Sequence, residues 1–177
     1  EVAYLLIFGE LPTEAQLTKF QNDIHKESLV DEDLKLILKS FPRSAHPMGA
    51  LASLTSALTA FNPESVDIDS EQDMYEAIVT IMAKFPVLCA WTHRKVKGLP
   101  LNYSNSDLDY VDNIAQMMFR RPTEAYASND IVNRALNKLL ILHADHEQNC
   151  STSTVRIVGS SHAGLFASIS AGISALW

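Results

Sequence analysis

The hydrophobic residues of this 177-residue chain recur at helical spacing almost from end to end. Leu51, Leu54 and Leu58 form one such series, and side chains three or four positions apart lie on one face of a helix. The alternation of apolar and polar residues that marks a half-buried strand is nearly absent, and neither Asn-Gly nor Asp-Gly, the usual hairpin dipeptides, occurs. The pattern therefore predicts an all-α fold, a multi-helix bundle that comprises residues 1–177 as a single helical domain.

Capping residues and prolines indicate where the helices begin and end. Thr13 and Gln16 have the spacing of a capping box, in which each side chain bonds the backbone amide of the other residue. Pro47 suits a first helical turn, so a new helix is expected there. Pro86 lies inside a long helical stretch and is expected to kink it. Further helices are expected to begin at 31–33, at 70 or 71, at 106–109, at 130 and from 151, with loops at 62–65 and 101–106.

Two other stretches have patterns of their own. The run Arg94-Lys95-Val96-Lys97 is expected to be a solvated basic helix end, since cations are favoured at the negative end of the helix dipole. Residues 168–176 are rich in small side chains, which allow helices to approach closely. That close packing could occur within the chain or across a subunit interface.

Charge and hydropathy exclude several classes of protein. The net charge of −7 argues against a nucleic-acid-binding surface, which needs a basic patch. No stretch approaches the roughly 18 apolar residues of a membrane span, so no membrane partner is expected. Cys89 and Cys150 are expected to be reduced, buried thiols of a cytoplasmic protein. Both ends of the chain are apolar, so the chain is expected to be part of a longer protein.

The most informative polar stretch is 143–149, with the sequence HADHEQN, which directly follows an apolar helical run. Polar groups beside a core must be hydrogen-bonded or take part in chemistry, because burying them unpaired is costly. The residues alone leave three interpretations open. His143 and His146 could bind zinc with Asp145 or Glu147, although His-Glu-x-x-His is absent. They could instead cap helix ends, or hold a small carboxylate ligand together with Asn149.

Residues 142–156, LHADHEQNCSTSTVR, resemble the signature helix junction of the citrate synthase family in its bacterial form. Residues 4–12, 44–48 and 170–173 agree with the same family in order and spacing, so the resemblance extends over essentially the whole chain. It implies an almost entirely α-helical fold that corresponds to part of the large domain of a two-domain enzyme. It also implies a homo-oligomer, a dimer or a hexamer.

The family condenses acetyl-CoA with oxaloacetate to give citrate and CoA. The resemblance implies that His146 and Asn149 bind oxaloacetate, and that Ser151, His143 and Asp145 support them. It implies no metal and no cofactor, since acetyl-CoA is a substrate.

The resemblance also implies that the catalytic machinery lies elsewhere. The catalytic histidines and the aspartate base of the family would follow Trp177, so no catalytic residue is expected in this chain. Enolising a thioester needs a base near the methyl carbon and a donor at the developing enolate oxygen. No residue pair here can be assigned both roles, so the 177 residues are expected to be inactive alone. The alternatives are a fragment of 2-methylcitrate synthase, which uses propionyl-CoA, and a non-enzymatic helical interaction module.

Overall fold

The structure, a computed structural model, describes residues 1–63 and 67–177. In these two ranges the chain forms nine α-helices and no strand, which confirms the predicted all-α fold. Part of the loop predicted at 62–65 lies outside the described residues. The helices are α1 (Val2–Phe8), α2 (Glu14–Lys26), α3 (Asp33–Ser40), α4 (Pro47–Phe61), α5 (Glu71–Lys97), α6 (Tyr110–Phe119), α7 (Asp130–Leu142), α8 (Cys150–Gly159) and α9 (Leu165–Leu176).

The helix boundaries follow the residues that were expected to set them. Thr13 and Gln16 form the predicted capping box at the start of α2. Pro47 is the first residue of α4, and the Ser70 side chain caps α5. α5 ends at Gly98, whose φ of 68° lies in the left-handed region that glycine adopts without a steric cost.

α5 is the central helix of the bundle and packs against α2, α3, α4, α6 and α9. Its Leu88 and Trp91 side chains are fully buried, as are Leu54 and Leu58 of α4. Burying each of these leucines stabilises the fold by about 1.5–3 kcal/mol relative to leaving it exposed. The core therefore forms where α4 and its neighbours surround the middle of α5.

α5 is also long and apolar enough to cross a membrane by length and composition, the one such helix in the described part of the chain. This differs from the expectation that no stretch approaches a membrane span. However, 56% of its apolar window is buried inside the bundle. Packing against five neighbouring helices accounts for the apolar character of a core helix.

Pro86 lies in the middle of α5 and removes one backbone hydrogen bond of that helix. A side chain of another helix replaces this bond. Proline has no N–H, so the carbonyl of Met82, four residues earlier, loses its helical donor. The hydroxyl of Tyr110, on α6, donates to that carbonyl oxygen at 2.9 Å. Burial raises the pKa of the Tyr110 hydroxyl above its ordinary value, so it stays a donor. α5 is helical through Pro86, and the kink stays a prediction.

Arg94 lies in the interior, which contradicts the expectation of a solvated basic helix end. Its side chain is fully buried. The guanidinium donates to the carbonyl oxygens of Met118 and Arg120 at 3.1 and 3.0 Å, and also to that of Pro100. The first two lie at the end of α6, where the helix dipole favours a positive charge. The remaining residues of the run, 95–97, are half-buried or exposed.

The small residues of α9 allow it to approach α8 closely. Gly172 is buried, and a Cβ atom at that position would lie only 2.5 Å from Cγ2 of Val155 and 3.6 Å from the Ser151 carbonyl oxygen. A larger residue would therefore separate the two helices. The close packing that residues 168–176 permit thus occurs within the chain.

Both cysteines are free thiols, as predicted, but they differ in exposure. Cys89 is half-buried, and burial raises the pKa of its thiol to about 12. Cys150 is exposed, so the prediction that it is buried was wrong. The reason is its position as the first residue of α8, a helix that has no buried residue.

Candidate functional site

The polar stretch 143–149 forms the junction between α7 and α8. Neither helix has a buried residue; α7 packs against α6, and α8 packs against α9. All of the junction is exposed except Asn149, which is half-buried. The candidate residues therefore lie together on one exposed turn, and Ser151 follows in the first turn of α8.

His143 caps the end of α7. Its Nδ1 atom lies 2.7 Å from the carbonyl oxygen of Leu139. A carbonyl oxygen only accepts, so Nδ1 carries the proton in this contact and Nε2 is the acceptor of the neutral ring. This is the helix-capping arrangement that the sequence left open, and it is compatible with a supporting role for His143.

Asp145 and Glu147 shape the turn that follows. The Oδ1 atom of Asp145 accepts the backbone amide of Glu147 at 3.1 Å, and the carbonyl of Glu147 accepts the amide of Asn149 at 3.0 Å. Glu147 has a φ of 56°, in the left-handed region. For a residue with a Cβ atom this conformation costs roughly 1–2 kcal/mol. The junction therefore contains a strained residue held by its neighbours, a feature that clusters at functional sites.

Asn149 caps the start of α8 with one half of its amide group. Its Oδ1 atom accepts the backbone amide of Thr152 at 2.9 Å and the hydroxyl of Thr152 at 3.2 Å. Such a cap stabilises a helix by about 1 kcal/mol. The amide oxygen is committed to the helix, and the Nδ2 group keeps its two donors. Thr152 is a contact of Asn149 that the sequence did not predict, although its distance of three positions is the spacing of a cap and its partner.

His146 is the least constrained side chain of the junction. It is exposed, and none of the side-chain hydrogen bonds found at the junction in the described chain involves its ring. An imidazole can donate or accept, depending on its protonation. His146 is therefore free to contact a ligand, whereas His143 is committed to the end of α7.

Arg156 brings a positive charge next to the junction. Its Nη1 atom donates to Oε1 of Gln148 at 3.3 Å. Among the described residues, the side-chain hydrogen bond of Arg156 is thus to a neutral amide. No group of three or more His, Cys, Asp and Glu residues that could hold a metal ion is found in ranges 1–63 and 67–177.

The first turn of α8 adds backbone donors to this surface. The amides of Cys150 and Ser151 are the first two of the helix, and such amides have no partner within the helix. They lie at the positive end of the helix dipole, where carboxylates and phosphates are favoured. The junction thus combines an imidazole, a carboxamide N–H₂ group and helix-terminal amides, a set suited to a carboxylate.

Comparison with known proteins identifies the family. The family model described as "Citrate synthase, C-terminal domain" matches residues 1–177. The chain belongs to the citrate synthase family. It is 49% identical over 176 residues to the citrate synthase of Corynebacterium glutamicum, a match that covers 99% of this chain and 40% of that protein. The family resemblance of residues 142–156 is therefore confirmed, and the chain spans about two fifths of the length of this curated relative.

Solved citrate synthases share the fold. The structure of citrate synthase from Pyrobaculum aerophilum superimposes with a TM-score of 0.89 at 29% identity, over 99% of this chain and 44% of that one. Citrate synthase from Thermoplasma acidophilum, solved as a ternary complex with carboxymethyl coenzyme A and oxaloacetate, gives a TM-score of 0.85 over 98% of this chain and 44% of that one. At 21% identity, this second likeness concerns the fold alone.

Proposed function

We propose that this chain is the oxaloacetate-holding part of a longer citrate synthase, which condenses acetyl-CoA with oxaloacetate to give citrate and CoA. Family membership supports the reaction. The binding site is proposed because the polar groups of the α7–α8 junction have two separate roles. Acceptor atoms of Asp145 and Asn149 are used to hold the turn and the helix, while the donors of Asn149 and the ring of His146 are left for a ligand.

Oxaloacetate is a dicarboxylate with a ketone, so a protein that binds it must offer donors and positive potential. In the proposal His146 contacts a ligand oxygen, and the Asn149 Nδ2 group donates to a carboxylate. Ser151, His143 and Asp145 support these two, as the family resemblance implies. No residue of this chain is assigned a catalytic step.

A variant that keeps the cap and reverses the donor tests the site most sharply. Aspartate caps a helix about as well as asparagine, so Asn149→Asp should leave α8 intact. The same change replaces the N–H₂ donor with an anionic acceptor, which repels a carboxylate. We expect isothermal titration calorimetry of the full-length protein to show oxaloacetate binding lost in Asn149→Asp and in His146→Ala, with far-UV circular dichroism unchanged.

The matched control is Asn137→Asp. Asn137 is an exposed residue in the middle of α7. This variant makes the same change of charge away from the junction and should bind oxaloacetate like the parent protein. Unchanged oxaloacetate affinity in both Asn149→Asp and His146→Ala would overturn the proposed site. Absence of oxaloacetate binding by the parent protein would favour a non-enzymatic helical module.

The 177 residues alone are proposed to be inactive. Thioester enolisation needs a base and an enolate-oxygen donor held together, and His146 alone supplies positioning without both. Incubating the purified chain with acetyl-CoA and oxaloacetate should release no CoA above the uncatalysed rate, as measured by a thiol-reactive dye. Sustained CoA release would refute this.

A homo-oligomer, a dimer or higher, is proposed on the basis of exposed apolar surface. α7 and α8 carry several exposed large hydrophobic side chains, and extensive exposed apolar surface marks interaction sites. The most exposed are Ile131 at 73%, Leu142 at 72% and Ile157 at 71%. Light scattering at micromolar concentration should give at least twice the chain mass, whereas a clean monomer would contradict the proposal. A cytoplasmic location is part of the same proposal and rests on the free cysteines and the bacterial relative.

A further inference from the structure

α7 has few attachments to the rest of the molecule. It has no buried residue, α6 is the helix against which it packs, and its half-buried residues are Asn133 and Leu136. Its far end continues directly into the junction 143–149. Within the described residues, α7 is therefore attached mainly in its first two turns, beside α6.

Four side chains connect α6 with the segment 126–133, which leads into α7 and includes its first residues. Asp112, in the first turn of α6, is only 6% exposed, and its carboxylate accepts the hydroxyl of Tyr126. The polar groups of Ser128 and Asn133 lie close enough to this carboxylate to lower its pKa. Asn133 in turn donates from Nδ2 to Oγ of Ser128 at 3.0 Å. We refer to Asp112, Tyr126, Ser128 and Asn133 as the α7 anchor.

The carboxylate at the centre of the anchor is held by neutral donors. In the described part of the chain, Asp112 takes part in no ion pair. Burial alone would raise the pKa of Asp112, but the polar groups of Tyr126, Ser128 and Asn133 outweigh it and lower the pKa below its ordinary value. Hydrogen bonds to an ionised acceptor are about twice as strong as neutral ones. The anchor is thus a strong polar contact at an otherwise weakly packed helix.

We propose that Asp112 is a positioning residue for oxaloacetate, because it fixes the direction of α7 and thereby the place of His146 at the far end. This inference rests on the proposed function of the junction. It concerns a residue 34 positions before His146, on a different helix.

The length of α7 makes the junction sensitive to its anchor. The 13 residues of α7 span about 20 Å at 1.5 Å per residue. A tilt of about 3° at the first turn therefore moves the far end by roughly 1 Å. A misplacement of that size can cost about a hundredfold in rate when it affects a group that positions substrate.

The experiment compares variants of the full-length protein that carries this chain. Asp112→Asn removes the charge and keeps the shape, and Tyr126→Phe removes one donor and nothing else. Asp107→Asn, at an exposed position in the loop before α6, is the control for charge. The readouts are the separate KM values for oxaloacetate and acetyl-CoA, and amide hydrogen exchange in α7 compared with α9.

We expect Asp112→Asn and Tyr126→Phe to raise KM for oxaloacetate by about tenfold or more, since both disturb positioning at a distance. KM for acetyl-CoA should stay within about twofold of the parent value, and Asp107→Asn should change neither. Amides of α7 should exchange faster in the two anchor variants, with α9 unchanged. A general loss of stability would instead raise exchange in both helices.

Folded anchor variants with an unchanged KM for oxaloacetate would overturn the inference. If Asp112→Asn does not fold, Tyr126→Phe decides the matter alone. His146→Ala, measured in parallel, separates the two claims. A raised KM in His146→Ala with an unchanged KM in the anchor variants overturns this inference alone. An unchanged KM in all three overturns the proposed function and, with it, this inference.

Discussion

The hydroxyl of Tyr110 should stabilise this protein, because it donates to a carbonyl oxygen that Pro86 leaves without a helical donor. Tyr110→Phe removes the donor that lies 2.9 Å from the Met82 carbonyl oxygen and leaves the ring in place. No backbone amide can take over, because the residue four positions later is proline. The carbonyl of Met82 is then an acceptor without a partner in the middle of a core helix.

The size of the effect follows from the cost of an unsatisfied acceptor. Leaving a buried carbonyl without a donor costs about 1–3 kcal/mol, more than the net value of an average hydrogen bond. For a chain of this length, each kcal/mol lowers the melting temperature by about 2–4 °C. Tyr110→Phe should therefore lower it by roughly 2–12 °C.

Replacing Pro86 with alanine tests whether the Tyr110 hydroxyl takes the place of the missing backbone amide. In a Pro86→Ala background, the alanine amide can donate to Met82 in the ordinary helical manner. Removing the Tyr110 hydroxyl then leaves no unsatisfied carbonyl. Tyr110→Phe should cost less than half as much in this background as in the parent chain. The difference is the coupling energy of a double-mutant cycle, which for residues in one hydrogen-bonded network is about 0.5–3 kcal/mol.

The assay is equilibrium unfolding in urea, followed by circular dichroism, for the four members of the cycle. Tyr4→Phe is the control, because the Tyr4 ring packs in an aromatic cluster with Phe8 and Phe20. It should cost less than Tyr110→Phe. Equal costs of Tyr110→Phe in both backgrounds would refute the reasoning, since the hydroxyl would then not be replacing the amide that Pro86 lacks.

Three further changes have expected outcomes. Gly172→Ala puts a Cβ atom 2.5 Å from Val155 Cγ2, so it should destabilise the chain by about 1–3 kcal/mol in urea unfolding, and Val155→Ala should recover part of that loss. Glu147→Asn should raise the free energy of unfolding by up to about 1 kcal/mol, because asparagine tolerates the left-handed conformation, and a lower value would contradict the strain at Glu147. The pKa of Asp112 is lowered in the folded state, so its carboxylate adds stability above the unfolded-state pKa of about 3.9 and loses it as the pH falls through the lower folded value. Asp112→Asn should therefore flatten the decline of the urea midpoint between about pH 5 and 3, and an equally steep decline would count against this account.

Local signals predicted most of the helix boundaries, because their causes are local. The capping box of Thr13 and Gln16 acts across three residues, and Pro47 acts on its own turn. The side chains of Leu51, Leu54 and Leu58 are buried, because helical phase alone puts them on one face. Each feature can be predicted from the sequence without knowing what packs against it.

The prediction that Arg94 is solvated was wrong because it rested on the charge of the side chain and not on its position around the axis of α5. Val87, Trp91 and Arg94 recur at intervals of four and three, so they share the buried face of α5. The spacing was available in the sequence and placed Arg94 inside. The sequence could not predict which groups would hydrogen-bond to the buried guanidinium. The carbonyl oxygens of Met118 and Arg120 come from the end of another helix, more than 20 residues away.

The contacts that could not be predicted are those between distant residues. Tyr110 meets Met82 across 28 positions, and Tyr126 meets Asp112 across 14 positions and between two elements. Each depends on how helices pack rather than on the order of side chains. At the candidate site the capping roles of His143 and Asn149 follow from local spacing, whereas the ligand roles of His146 and Asn149 rest on the family resemblance and remain predictions.

Capping and ligand binding at the α7–α8 junction are not competing explanations of the same residues. A helix start needs acceptors to satisfy its amides, and Asn149 supplies one from its oxygen. A carboxylate ligand needs donors, and the same side chain keeps its nitrogen for that purpose. An alanine at this position would remove both functions at once and reveal neither. Because an asparagine divides the two functions between two atoms, the sequence alone could not distinguish a structural junction from a binding site. The oxygen of Asn149 holds the helix, so the nitrogen is the group to test for oxaloacetate.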